Sequence, residues 1–191
     1  MCIRDSIKAF NLKKWILFNF IAWFFGVVLI MGFSSMLEFF GVKHQQLAVG
    51  LGMGLGIGCM QWFLIRTSIP LSFNWVWVSS LGMTLVFVLV QELGQSEGAE
   101  LLLPAVSIGA IFIGYIHFAM LKKHLKNAIL WLPASALGWV SALAAVKALD
   151  YTHLLSDNNL VLFFVNLGLI LSGGLLLGLS TGLALKKMLK A

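Results

Sequence analysis

Apolar residues fall into six long runs, at roughly 15–37, 46–65, 74–92, 101–121, 128–148 and 159–185. A helix needs about 20 mostly apolar residues to cross a bilayer, so each run predicts one membrane span. Short polar stretches separate them. Thr67-Ser68-Ile69-Pro70 breaks the chain after helix 2, and Gly94-Gln95-Ser96-Glu97-Gly98 breaks it after helix 3. Ser156-Asp157-Asn158-Asn159 precedes helix 6 and supplies short polar side chains that can cap its first turn. Pro133 falls near the start of helix 5, where a missing amide hydrogen costs little. The predicted fold class is an all-α polytopic membrane protein with six transmembrane helices in a single domain, 1–191.

Within these runs one pattern recurs three times. Trp15-x3-Asn19-x2-Ala22-Trp23, Trp75-x3-Ser79-x2-Gly82-Met83 and Trp131-x3-Ser135-x2-Gly138-Trp139 open the odd helices. Gly58-x2-Gln61-x4-Arg66, Gly114-x2-His117-x4-Lys122 and, more weakly, Gly178-x2-Thr181-x4-Lys186 close the even ones. The first offset is 56 residues in both helices (75 to 131, 58 to 114). A fixed period marks repeated supersecondary units. The chain therefore reads as three two-helix hairpins, about 15–66, 75–122 and 131–186, related by a pseudo-threefold axis.

The even helices carry stripes of small residues: Gly50, Gly54 and Gly58 in helix 2, Ala110 and Gly114 in helix 4, and Gly174, Gly178 and Gly182 in helix 6. Small residues four apart share a face and let helix backbones approach closely in lipid. The expectation is that helices 2, 4 and 6 form the centre, with 1, 3 and 5 around them.

Gln61, His117 and Thr181 occupy matching positions, three residues past Gly58, Gly114 and Gly178. That spacing turns them toward the small-residue face, and a threefold arrangement would gather them near one end of the axis. Interhelical hydrogen bonding is their ordinary role at such depth. A polar constriction is the functional alternative, with His117 able to change charge near neutral pH. Asn19, Ser79 and Ser135 form a second matched set that reads as packing glue. Asn166 has no counterpart in the other repeats; it reads as a further interhelical bond and as a secondary site candidate.

Composition supports the membrane assignment. Sixty per cent of residues are hydrophobic and 10% charged, against about 25% charged in soluble domains. Mean hydropathy is +0.98. The net charge of +6 does not imply nucleic acid as a partner: the longest basic cluster is Lys122-Lys123-His124-x-Lys126, at a helix end. Of 13 basic residues, 11 fall on one side of the spans: Arg4, Lys8, Lys13, Lys14, Arg66, Lys122, Lys123, Lys126, Lys186, Lys187 and Lys190. Only Lys43 and Lys147 fall on the other, together with Glu38, Glu92, Glu97, Glu100, Asp150 and Asp157. Cytoplasmic loops are rich in Lys and Arg, so both termini are expected in the cytoplasm of a bacterial inner membrane. Trp15, Trp75 and Trp131 start the odd helices on the basic side, where they are expected to anchor the interface with wet indole N–H groups.

Residues 1–6, Met-Cys-Ile-Arg-Asp-Ser, look like a translated sequencing adapter and are set aside as a scar. Helix 1 is too long for the apolar part of a signal peptide and is expected to serve as the insertion signal itself. Cys59 is then left as the single cysteine, inside an apolar helix, where it acts as a small hydrophobe. No metalloprotease, nucleophile-elbow, phosphate-loop or Cys/His metal motif occurs. The glycine run 50–58 lies in a membrane helix and not after a strand, so it is no nucleotide fingerprint. No catalytic, cofactor-binding or metal-ligating residue is assigned, and no enzymatic activity is expected.

Gln61-Trp62-x-Leu64-x-Arg66 followed by Trp75-x6-Gly82 resembles a unit that recurs in a group of small uncharacterised bacterial six-span membrane proteins. That resemblance covers nearly all of the chain after residue 12 and implies a six-span fold, without an activity to transfer. Mitochondrial carriers also contain three two-helix repeats, but their P-x-[D/E]-x-x-[K/R] signature is missing here. Two functional classes follow: a structural or partner-binding membrane module, contacting lipid and a membrane partner or a second copy, and a small-solute transporter or channel along the central axis. A dry, closed centre favours the first and a continuous polar path the second.

Overall fold

The computed structural model describes residues 10–42, 44–93, 98–156 and 158–190. The adapter-like segment 1–6, Lys43, the turn 94–97 and Asp157 lie outside them, as does the side chain of Glu100. The described chain is all-helical: α1 Leu12–Phe39, α2 Gln45–Ile65, α3 Asn74–Leu93, α4 Gly98–Leu121, α5 Trp131–Lys147 and α6 Asn159–Lys190. Short 3-10 turns, Ala128–Leu130 and Ala148–Leu154, flank α5. All six α-helices give segments long and apolar enough to cross a membrane, as the hydropathy pattern predicts.

The helix ends follow from local chemistry. Asn11 caps α1, its side chain accepting from the Lys14 amide at 3.2 Å. Gly41, at φ 73°, turns the chain out of α1, in a backbone region that glycine occupies without a Cβ clash. In the predicted polar stretch before α6, Asn158 is the capping residue: its Oδ1 accepts from Leu160 N at 2.9 Å.

The helices form a closed ring. Extensive contacts run between chain neighbours, α1–α2, α2–α3, α3–α4, α4–α5 and α5–α6, and α6 closes back onto α1. This corrects the expected grouping of α2, α4 and α6 against one another. The glycine stripes do lie at helix contacts, but they face the odd helices. Gly54 packs on Ser79 and Ser80 of α3. Gly58 meets Ser79, Gly114 meets Ser135 of α5, and Gly178 meets Asn19 of α1. Gly58, Gly114 and Gly178 thus each meet the Asn or Ser that stands four residues after the opening Trp of the next odd helix around the ring. Helix α2 also uses a second stripe: Gly52 and Gly56 pack on Ile30, Ala22 and Gly26 of α1. A small-residue face specifies close approach without naming its partner. With small residues on two faces, α2 can hold a neighbour on each side, which makes a ring member of it.

Both termini of the ring, Leu12 and Lys190, lie at the end that also carries Arg66, Lys122 and Lys126. It is the basic end here, and the opposite one, with Glu38, Glu92 and Asp150, is the acidic end.

Candidate functional site

The inside of the ring is layered. Nearest the basic end, Trp15, Trp75 and Trp131 are only 1%, 0% and 1% exposed and share one cluster with Ile65, Leu121 and Leu185. The expectation that these indoles sit wet at the membrane interface is therefore wrong. Their helical position puts them at the right depth, but the face they occupy points into the ring. Trp75 and Trp131 meet edge to face with centroids 5.2 Å apart. The aromatic side chains that do face outward include Trp77, 52% exposed. At the basic end Trp62 carries the Arg66 guanidinium 4.4 Å from its ring centroid.

One turn deeper lies a polar belt built from both matched sets. Asn19 Nδ2 donates to the Trp15 carbonyl at 2.9 Å, which leaves Asn19 Oδ1 to accept from Gln61 Nε2 at 2.9 Å. Thr181 Oγ1 donates to the Leu177 carbonyl at 2.5 Å and accepts from Trp15 Nε1 at 3.1 Å. Ser79 Oγ donates to the Trp75 carbonyl at 2.9 Å and lies 3.3 Å from His117 Nε2. The Trp75 carbonyl is also 3.4 Å from that Nε2. With the Ser79 hydroxyl hydrogen directed at the carbonyl, both Nε2 contacts are acceptors, so the network assigns the ring hydrogen to Nε2. The imidazole is stacked on Trp75, with centroids 3.7 Å apart and an interplanar angle of 5°.

Gln61, His117 and Thr181 all line one small cavity of about 10 Å³ with Ser79, Ser135 and Trp131. The trio makes no direct hydrogen bond within itself; Gln61 and His117 bond to the odd helix of their own hairpin and Thr181 to α1. The cavity has room for about one water molecule. Two buried indole N–H groups, Trp75 Nε1 and Trp131 Nε1, have no hydrogen-bond partner among the described residues. Asn19, Gln61, Ser79, His117, Ser135 and Thr181 are all buried.

Below the belt, Ile57, Ile113 and Leu177 meet Trp23, Met83 and Trp139. The first three precede Gly58, Gly114 and Gly178, and the second three stand eight residues after Trp15, Trp75 and Trp131. Past them the ring widens into a second cavity of about 170 Å³ whose lining includes Trp23, Val27, Met53, Phe87, Leu143 and Ile170, with residues from all six helices. Sequence reasoning did not find this chamber. Its signal was present in Ala22-Trp23, Gly82-Met83 and Gly138-Trp139, but periodicity alone does not separate a lumen-facing Trp from a lipid-facing one.

Asn166 differs from the expected interhelical bond. Its Oδ1 is buried with no hydrogen-bond partner among the described residues. At the acidic end, His44 Nδ1 lies 3.5 Å from Glu92 Oε1 and 3.0 Å from Gln91 Nε2, and Lys147 pairs with Asp150 at 3.3 Å. Comparison with known protein families, curated sequences and solved structures finds no match.

Proposed function

We propose that this chain is a non-enzymatic bacterial inner-membrane module of three hairpin repeats, with cytoplasmic termini and an axis closed to polar solutes. It serves as a structural or partner-binding element of the membrane. The observation that carries this reading is the order of the layers. The polar belt around Gln61, His117 and Thr181 is closed by the Trp15, Trp75 and Trp131 cluster on one side and by an apolar chamber on the other. A hydrated ion or sugar crossing the ring would have to shed its water twice, at an apolar layer each time, which carries a large desolvation cost. The matched contacts Gly58–Ser79, Gly114–Ser135 and Gly178–Asn19 support the repeat architecture. The asymmetry of basic residues supports the orientation.

Proteoliposomes test the closed axis. Proton, potassium and sucrose flux should equal that of protein-free vesicles, and His117→Ala should leave it unchanged. A saturable flux that His117→Ala abolishes would establish the transporter reading instead. Orientation is tested separately with Lys123→Cys in a cysteine-free background. An impermeant maleimide should label it only after lysis, and labelling of intact cells would invert the topology.

A further inference from the structure

The chamber beyond the polar belt differs from an ordinary packing defect in size, lining and position. Its volume of about 170 Å³ is close to that of an engineered apolar cavity, about 150 Å³, that stays dry and binds benzene. Its walls are aliphatic, aromatic and thioether side chains, among them Met53 and Met83, whose flexible sulfur-containing chains adapt to irregular apolar guests. Val27, on its wall, lies midway along α1, so the chamber sits at the depth where lipid chains end.

The chamber also has a route to the bilayer. Helices α1 and α6 hold each other where Gly182, Gly178 and Gly174 pack on Trp15, Asn19 and Trp23. Toward the acidic end burial falls away on both helices. Residues 27–39 of α1 and 159–172 of α6 include no buried residue. Val27, Ile30 and Ile170, which line the chamber, come from these same two stretches. One turn from Ile170, on the same face of α6, stands Asn166, whose buried Oδ1 has no partner among the described residues.

We propose that the chamber binds the end of a phospholipid acyl chain, admitted from the bilayer between the acidic halves of α1 and α6. The surrounding bilayer supplies this occupant at the right depth. The space is too narrow for a partner helix, which is about 10 Å across. The proposal does not rest on the closed-axis reading: it is argued from the chamber's size, lining and depth, and labelling and flux are measured separately.

Photolabelling tests it. The full chain is reconstituted in phosphatidylethanolamine and phosphatidylglycerol vesicles doped with a phospholipid carrying a diazirine at the end of one acyl chain. Peptide mapping should find label on Met53, Phe87 or Trp139 of the chamber as well as on outward-facing Leu85 and Ile108. Val146→Phe or Val49→Phe fills the chamber from opposite walls, and Ile170→Trp fills it from the α6 side. Each should cut chamber labelling at least tenfold while Leu85 and Ile108 label as before, which also reports that the variant is folded. Three variants of different position keep the test decisive if one fails to fold. Label confined to outward-facing residues overturns the proposal, as does chamber label that survives all three substitutions. Chamber label from a diazirine fatty acid but not from the phospholipid overturns the assigned source.

Discussion

At the basic end of α1 and α6, Gly178 and Gly182 sit so close to Asn19 and Trp15 that an added Cβ would stand 2.9 Å and 2.6 Å from their side chains; at the acidic end of the same helices, Gly32 and Gly168 face open space. Glycine therefore does two different things in one pair of helices. In the first half it removes atoms so that backbones can touch, and dispersion contacts follow. In the second half nothing presses on it. The closed half holds the three interior tryptophans and the polar belt, and the open half holds the apolar chamber. Position in the ring, more than residue type, decides what a glycine contributes.

The largest expected difference between the halves lies with the tryptophans. Trp75→Ala removes a fully buried indole that stacks on His117 and touches Trp131. It should cost about 3–5 kcal/mol, the range for emptying a large aromatic site. Trp77→Ala, two residues away on a half-exposed position, should cost under about 1 kcal/mol, in the range of surface changes. Reversible unfolding in mixed micelles measures both, and equal losses would place Trp75 outside the core.

Glycine substitutions give the next effect. A Cβ on Gly54 would stand 2.5 Å from Ser80 Cα and 2.7 Å from the Ser79 carbonyl oxygen, both backbone atoms that cannot swing aside. Gly54→Ala should lose about 1–3 kcal/mol, the usual cost of overpacking. A neutral result would mean that the α2–α3 contact relaxes more easily than its geometry implies.

Within the belt the effects are smaller. A double-mutant cycle on Asn19 and Gln61 should return a coupling of about 0.6 kcal/mol, the average for hydrogen bonds between membrane helices. A coupling beyond about 2 kcal/mol would exceed that range and point to a network acting as one unit. Smallest of all, Gly32→Ala and Gly168→Ala should change stability by no more than about 0.5 kcal/mol in either direction. A large loss at either position would show that a partner or a second copy covers the open half.

The path from sequence to site was uneven. Gln61, His117 and Thr181 were legible as a set because the repeat aligns them and their offset from glycine fixes a face. Their bonding partners were legible only as a second list, Asn19, Ser79 and Ser135. That Gln61 bonds to Asn19 within its own hairpin, while Thr181 bonds to Trp15 across the ring closure, depends on rotamers and interhelical distance. Trp15, Trp75 and Trp131 show how depth and direction separate. Their sequence position fixes depth, because it counts residues from a helix end. Their direction depends on how each helix is rotated about its axis, and contacts with its neighbours set that rotation. Asn166 shows the limit from the other side: a polar residue deep in a helix invites a partner, but only packing decides whether one arrives.

The sequence by itself determined six apolar spans, a threefold recurrence of Trp, Asn or Ser, Gly and a basic end, and an excess of positive charge on one side. These are one-dimensional properties, set by hydrophobic length, spacing and charge, and bilayer physics reads them directly. Only the tertiary structure decided that the helices close into a ring, that the tryptophans point inward, and that an apolar chamber lies beyond the polar belt. Those outcomes depend on which of several small-residue faces meets which neighbour. In lipid there is little hydrophobic force to choose among such faces, so close packing makes the choice.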